Sequence, residues 1–337
     1  MRFSIWLKKA LFTLLAVVAA VIAGGCGQDL STATPAAPVV MAEPAPYEEL
    51  ARHYAPVIYQ GAASDQDYIT AVDFDGDWIG NNNWENQPSG DLSAYVYNSI
   101  VETESHWFLF YAIFHPHDYT DEPCDKSDGC HENDMESLQV VVAKDGSAYG
   151  RPIALFTLAH SHIYLYPFDN AVKKGALRPH GQAQEEEGHP VVWIETYGHG
   201  IYGRAEILVP GKMIYRVGDQ AEIPEGIKDD DVRYELVSIY DTLWQHRDEI
   251  GPGQAFDQPF DYRGHTLPGS FDGEDWGQDK ANPPWGYDQD IGNTLLRGDF
   301  FLDPARALAY FATVEGDLSH TYIHNPYLAD LGLDPAP

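Results

Sequence analysis

Directly after Cys130 the chain reads His131-Glu132-Asn133-Asp134-Met135-Glu136 and runs without a break into the apolar stretch Ser137–Ala143. Side chains alternate between the two faces of an extended chain, so Asp134 and Glu136 share a face with Leu138, Val140 and Val142. Two carboxylates then head a row of core residues. Side by side and partly buried, they repel and raise each other's pKa unless a cation compensates. His131, one step earlier, can turn in as a third ligand. An oxygen-rich set with one imidazole suits Mg²⁺, Ca²⁺ or Mn²⁺ better than a structural zinc. Spacing alone equally allows an acidic strand end solvated like the rest of an acidic surface.

Cys124 and Cys130 precede this segment, and a disulfide is the expectation for such a pair in an exported protein. Zinc ligation by the same pair wants a closer spacing and more thiolates. His115/His117 and His160/His162 each lie two apart, a spacing at which a strand presents both rings on one face. Asp73, Asp75 and Asp77 alternate ahead of Asn81-Asn82-Asn83, but Gly76 comes too early for an EF-hand loop and no Glu stands at the twelfth place. Gly198-His199-Gly200-Ile201-Tyr202-Gly203 fits a dinucleotide pattern, yet no helix follows it to hold a pyrophosphate. No Gly-x-Ser-x-Gly elbow and no His-Glu-x-x-His zinc helix occurs.

The order of these motifs resembles the necrosis-inducing, NLP-type proteins and the vacuolar-protein-sorting-like family. Tyr111-Ala112-Ile113-Phe114-His115-Pro116-His117-Asp118 resembles the aromatic strand ending in Pro-x-Asp. His131-x-x-Asp134-x-Glu136 resembles the heptapeptide Gly-His-Arg-His-Asp-Trp-Glu, and an apolar strand follows. Leu158–His162 looks like the family's Ser-Ala-His segment. His189-Pro190-Val191-Val192-Trp193 through Gly198-His199 looks like the His-Pro-Val-Val-Tyr…Ser-His stretch of the sorting-like proteins. The resemblance implies a β-sandwich and a divalent cation held by Asp118, His131, Asp134 and Glu136, with His160 and His199 lining the site. Asn133 stands in place of the heptapeptide's second His, Met135 in place of its Trp and Cys130 in place of its Gly. The resemblance runs from about Tyr95 to Gly203, and the loops through which NLP-type proteins recognise sphingolipid headgroups and lyse cells are not matched.

Strands must position these residues. Ser93–Glu102 alternates, turns at Thr103-Glu104-Ser105 and returns as the apolar run His106–Phe114. Further strands are expected at Ser137–Ala143, Ile153–His160, His162–Tyr166, Val191–Thr196, Arg204–Val209 and Met213–Val217. A short helix is expected over Tyr47–Tyr54, another over Pro304–Thr313. Leu236, Ile239, Tyr240, Leu243 and Trp244 make one stripe and predict an amphipathic helix over Tyr234–Glu249. The Pro/Gly/Asp-rich patch Gly251–Asp290 reads as long surface loops. The fold class expected is mainly β, an antiparallel β-sandwich with peripheral helices, forming one domain over residues 47–337 with a C-terminal helical and loop extension.

Arg2, Lys8 and Lys9 precede the apolar run Ala10–Ile22, and Ala23-Gly24-Gly25-Cys26 follows. This resembles a lipoprotein signal over residues 1–25, with Cys26 lipidated. Residues 26–46, rich in Ala, Pro and Thr, read as a flexible tether. The expected location is therefore the cell envelope or surface, with the lipid contacting the membrane.

Composition bounds the partners. The 52 Asp and Glu against 20 Lys and Arg give a formal charge of −32, and aromatics make up 13% of the 337 residues. Such a surface repels a polyanion, so nucleic acid is excluded as a partner, and so is a polybasic membrane contact. Two functions remain. One is a binding protein whose cation coordinates a glycan hydroxyl or lipid headgroup, with Trp78, Trp84, Trp107 and Trp193 as candidate stacking rings. The other is a metal-dependent hydrolase of phosphodiesters or glycans with His160 or His199 as base.

Overall fold

A computed structural model describes residues 43–120, 124, 130–203, 212–273, 281–287 and 294–334. The signal segment, Cys26, the tether up to residue 42 and the strand expected over Arg204–Val209 lie outside the described residues. The chain divides into Met1–Val40 and Met41–Pro337, and the second unit is described here.

Helix α1, Tyr47–His53, opens the unit with Glu48 and Glu49 in its first turn and Arg52 and His53 in its last, each matched to the helix dipole. Six strands follow: β1 Val57–Gly61, β2 Tyr95–Thr103, β3 His106–Asp118, β4 His131–Ala143, β5 Arg151–Ala159 and β6 His162–Pro167. Next come β7 Val172–Lys174, β8 Gln184–Glu186, β9 His189–Ile194, β10 Ile201–Tyr202, β11 Lys212–Val217 and β12 Val232–Ser238. A hairpin, β13 Phe256–Tyr262 and β14 His265–Phe271, precedes β15 Ala312–Val314 and β16 Tyr322–His324. The remaining helices are α2 Asn83–Asn86, α3 Asp299–Leu302, α4 Pro304–Phe311 and α5 Pro326–Asp330.

Among the described residues, twelve strands join one sheet in the order β10-β9-β1-β11-β12-β2-β3-β4-β5-β6, with β8 on β9 and β16 on β2. Three pairings are parallel: β1 with β9, β11 with β12, and β12 with β2. The expected antiparallel sandwich is therefore replaced by one large mixed sheet. It curls, because β10 at one end packs against β4 and β5 near the other.

Among the described residues, two large cores lie on the two faces, beside a small cluster of Val57, Val191 and Ile214. In β3, Trp107, Leu109, Tyr111 and Ile113 enter the core that also takes Leu50, Ile58, Val96, Met213 and Tyr234. Phe108, Phe110, Ala112 and Phe114 enter the other, closed by α3, α4 and the β13–β14 hairpin. Burial on both faces is why β3 reads as a continuous apolar run rather than an alternation. Each fully buried large side chain contributes about 1.5–3 kcal/mol.

Two further expectations fail. Tyr234–Glu249 is not a helix: Val232–Ser238 is strand β12, and Leu243–His246 is a short 3₁₀ turn. Tyr234 is buried between strands, and β12 pairs with both β11 and β2, so sheet pairing outweighs the helical spacing. Gly251–Asp290 is not merely surface loop. It contains β13 and β14, and Trp285 is completely buried against Trp244 and Phe256.

Candidate metal centre

The C-terminal end of β3 and the N-terminal end of β4 lie side by side, in a register that pairs His115 with Asp134, His117 with Glu132 and Asp118 with His131. The strand thus begins at His131, earlier than Ser137, and the acidic motif is itself strand. The Cys124–Cys130 disulfide, with Cα atoms 5.9 Å apart, ties the connection between β3 and β4. Loops after β1, β5 and β9 bring Asp67, His160 and His199 to the same place.

Backbone strain marks the spot. Four of the seven non-glycine residues with positive φ among the described residues, Asn133, His160, Tyr197 and His199, gather here. Asn133 is stitched in place: its Nδ2 donates to Gly80 O at 2.9 Å and Asp272 O at 2.8 Å, and its Oδ1 accepts from Asn83 at 2.9 Å. Asn133 therefore anchors the start of β4 to the segments around Gly80 and Asp272.

The carboxylates crowd one another. Burial, then the charge of Asp134, pushes Asp118 up to about 7. Burial and Asp134 likewise raise Glu136 well above the usual carboxylate range. His131 Nε2 lies 3.6 Å from Asp118 Oδ2. Glu136 is held from two sides: His160 N–H donates to Oε1 at 2.7 Å and Tyr287 O–H to Oε2 at 2.5 Å. Tyr287 sits in the segment read as surface loop, so no sequence signal pointed to it.

His199 is completely buried between two carboxylates. Its Nδ1 is 2.8 Å from Asp134 Oδ2 and its Nε2 is 3.1 Å from Asp67 Oδ1. Burial disfavours its charge, but the hydrogen bonds to Asp134 and Asp67 override this and raise its pKa to about 10. Asp67 is itself saturated, accepting also from Tyr197 N–H, Ala63 N–H and Tyr119 O–H. It was not among the sequence candidates, because it lies in a short 3₁₀ turn outside every motif. His115 stacks on His199 with ring centroids 3.7 Å apart, and burial followed by His199's charge holds it neutral.

The buried group His115, Asp134 and His199 can hold a metal ion, since each offers a ligand atom within 4.8 Å of the others. To ligate, His199 must shed a proton and give up one carboxylate bond, because both its nitrogens are engaged. The same engagement leaves it no lone pair with which to act as a base.

His160 differs. Its side chain is 55% exposed, its Nε2 is 2.6 Å from Glu195 Oε1, and that hydrogen bond raises its pKa. Gly198 makes room for it: a Cβ there would meet His160 Cε1 at 3.1 Å and Asp118 Oδ2 at 3.6 Å. The glycines of the Gly198–Gly203 run thus serve close packing, with Gly200 against Glu195 and Ala159, and Gly203 against Tyr166.

Other candidates separate. His115 and His117 do not act together, for His117 faces Asn83 O and the Trp84 ring while His115 faces Gln60 and His199. Trp107 and Trp193 are core, and Trp78 stacks on His246. Asp75 and Asp77 accept from nearby backbone N–H groups, at Asp77 and Ile79, and so shape their own loop.

No protein-family model and no curated protein matches this sequence. Among solved structures, similarity is found to the non-toxic HaNLP3 protein, at 16% identity and TM-score 0.32, covering 60% of this chain and 80% of that one. Necrosis and Ethylene inducing Protein 2, from the causal agent of cocoa's witches' broom disease, aligns at 20% identity and TM-score 0.32, covering 59% of this chain and 78% of the other. A chain described as a toxin fold as basis for microbial attack and plant defense aligns at 14% identity and TM-score 0.35, covering 67% of this chain and 92% of its own.

Proposed function

We propose that this chain is an exported, lipid-anchored protein of the cell envelope whose divalent cation, Mg²⁺, Ca²⁺ or Mn²⁺, helps it bind a glycan or lipid headgroup. The observation that carries the cation is the crowding of Asp118, Asp134 and Glu136, two of which are pushed to high pKa when no ion offsets their mutual repulsion. Asp118, His131, Asp134 and Glu136 are the ligands in this reading. The imidazolium of His199 turns one oxygen of Asp134 inward and leaves the other for the ion, while Tyr287 and the His160 N–H orient Glu136. An ion held this way supplies a Lewis-acidic point for a hydroxyl or phosphate oxygen of the ligand. Anchoring through Cys26 is supported by the sequence around it.

Calorimetric titration with each cation, then with glucosamine and mannosamine in the presence and absence of the ion, tests the reading. Saturable sugar binding only with the ion bound supports it; sugar binding that ignores the ion, or cation heats unchanged in Asp134→Asn, overturns it. Loss of fatty-acid labelling in Cys26→Ser tests the anchor.

A second reading, a metal-dependent hydrolase of phosphodiesters or glycans, is favoured by His160 alone. It is half-exposed, backed by Glu195 and adjacent to Asp118, as a general base beside a metal-bound water would be. Cation-dependent turnover of a phosphodiester or glycan that is lost in His160→Ala selects this reading over the first.

A further inference from the structure

A cavity of about 760 Å³ opens between α1, the parallel β2–β12 pair and α5. None of the residues assigned to the cation lines it. Its volume falls in the range of small-molecule sites, about 300–1,000 Å³. The rings of Tyr47, Tyr240 and His324 form aromatic walls. Tyr47 and His324 pack with centroids 4.7 Å apart, and burial lowers the His324 pKa so that this wall is neutral. The Tyr240 hydroxyl donates to Asp330 at 3.1 Å, which fixes that ring.

The charge lining the cavity is one-sided. Its basic group, Arg52, is committed to Asp219 at 2.7 Å and to Gly218 O at 3.1 Å. Glu48, Glu235 and Asp241 also line the cavity, and no ion pair involves them among the described residues. These carboxylates do not converge on one point. The close-set group of metal-ligating side chains among the described residues is elsewhere, at His115, Asp134 and His199. Among the described residues, no three acidic or imidazole groups of this cavity therefore come close enough together to hold a bare inorganic ion. Dispersed negative charge around aromatic faces, in a space the size of an organic molecule, fits a cation that carries carbon.

We propose that this cavity binds an organic ammonium ion, an oligoamine or a quaternary amine, with its charge among Glu48, Glu235 and Asp241 and its carbon body on Tyr47 and Tyr240. Titration calorimetry of the full chain with spermidine and with choline tests this, using dimethylbutanol, choline's neutral carbon isostere, as control. The expected result is saturable binding of at least one amine and none of the isostere. The Glu235→Gln/Asp241→Asn double variant and, separately, Tyr240→Ala are each expected to weaken it about tenfold, with thermal melting showing that they remain folded. Glu136→Gln, at the other site, leaves amine affinity unchanged. Three results would each overturn the proposal: no saturable binding of either amine, equal binding of the isostere, or affinity lost in Glu136→Gln but kept in the cavity variants.

Discussion

His199 stands as a buried cation between Asp134, 2.8 Å from its Nδ1, and Asp67, 3.1 Å from its Nε2. This one ring couples the loop after β1 to the first residues of β4, and so sets where Asp134 points. Breaking a buried pair from one side leaves uncompensated charge, at about 3–5 kcal/mol. His199→Gln should lower unfolding free energy by that order in a denaturant titration without cation. A loss below about 1 kcal/mol would mean that the bridge does not form in solution.

The pH dependence follows from the same groups. His199 has a folded pKa of about 10, raised above that of a free histidine, so its contribution is whole below about pH 6.5 and fades as pH climbs toward 10. Asp118, raised to about 7, holds its proton more tightly when folded, so its contribution is whole below about pH 4 and fades as pH rises to 7. The buried neutral rings of His106, His115 and His117 have lowered pKa values and act the other way, because unfolding lets them take protons as pH falls below about 6.5. They oppose Asp118 on the acid side, and His199 governs the alkaline side. In chelator, the denaturation midpoint should fall between about pH 7 and 10 as His199 loses its proton. A midpoint that rises through this range contradicts the assignment.

Tyr287 reaches Glu136 from a different part of the chain, at 2.5 Å. Tyr287→Phe removes the donor and leaves the buried carboxylate short of a partner, at a cost of about 1–3 kcal/mol. Cation affinity should weaken as well, since Glu136 then takes a proton more readily. Unchanged affinity in calorimetry would place Glu136 outside the coordination sphere.

Gly198→Ala tests the packing of the loop after β9. Its Cβ would press on His160 Cε1 at 3.1 Å, so His160 must turn away from Glu195. A shift of the His160 titration midpoint to lower pH in NMR, toward an ordinary histidine pKa, is the expected outcome. An unmoved titration would show that the ring already sits elsewhere.

What the sequence revealed, and what it hid, divides along local and long-range physics. β2, β3, β5, β6 and the paired carboxylates of β4 were legible because alternation and apolar runs are local signals. The parallel insertion of β12 between β11 and β2 was not, and its helical spacing misled, since Tyr234 is buried by pairing partners far away in sequence. Asp134 and Glu136 announced themselves by sharing a strand face. Asp67 and Tyr287 carry no such pattern, for their roles arise only when separate loops meet at one strand end. His199 was found, but its role was not, because nothing in the sequence tells that both its nitrogens face carboxylates.

The central claim is that Asp118, Asp134 and Glu136 hold a divalent cation. Thermal melting in chelator and in excess Ca²⁺, Mg²⁺ or Mn²⁺ tests it most directly, on the wild type and on Asp118→Asn, Asp134→Asn and Glu136→Gln. Ligand at a hundred times its Kd stabilises by about 2.7 kcal/mol, so at least one ion should raise the wild-type melting temperature by several degrees. Each variant should lose most of that rise. Identical melting with and without every ion, or a rise that survives all three substitutions, would contradict the account.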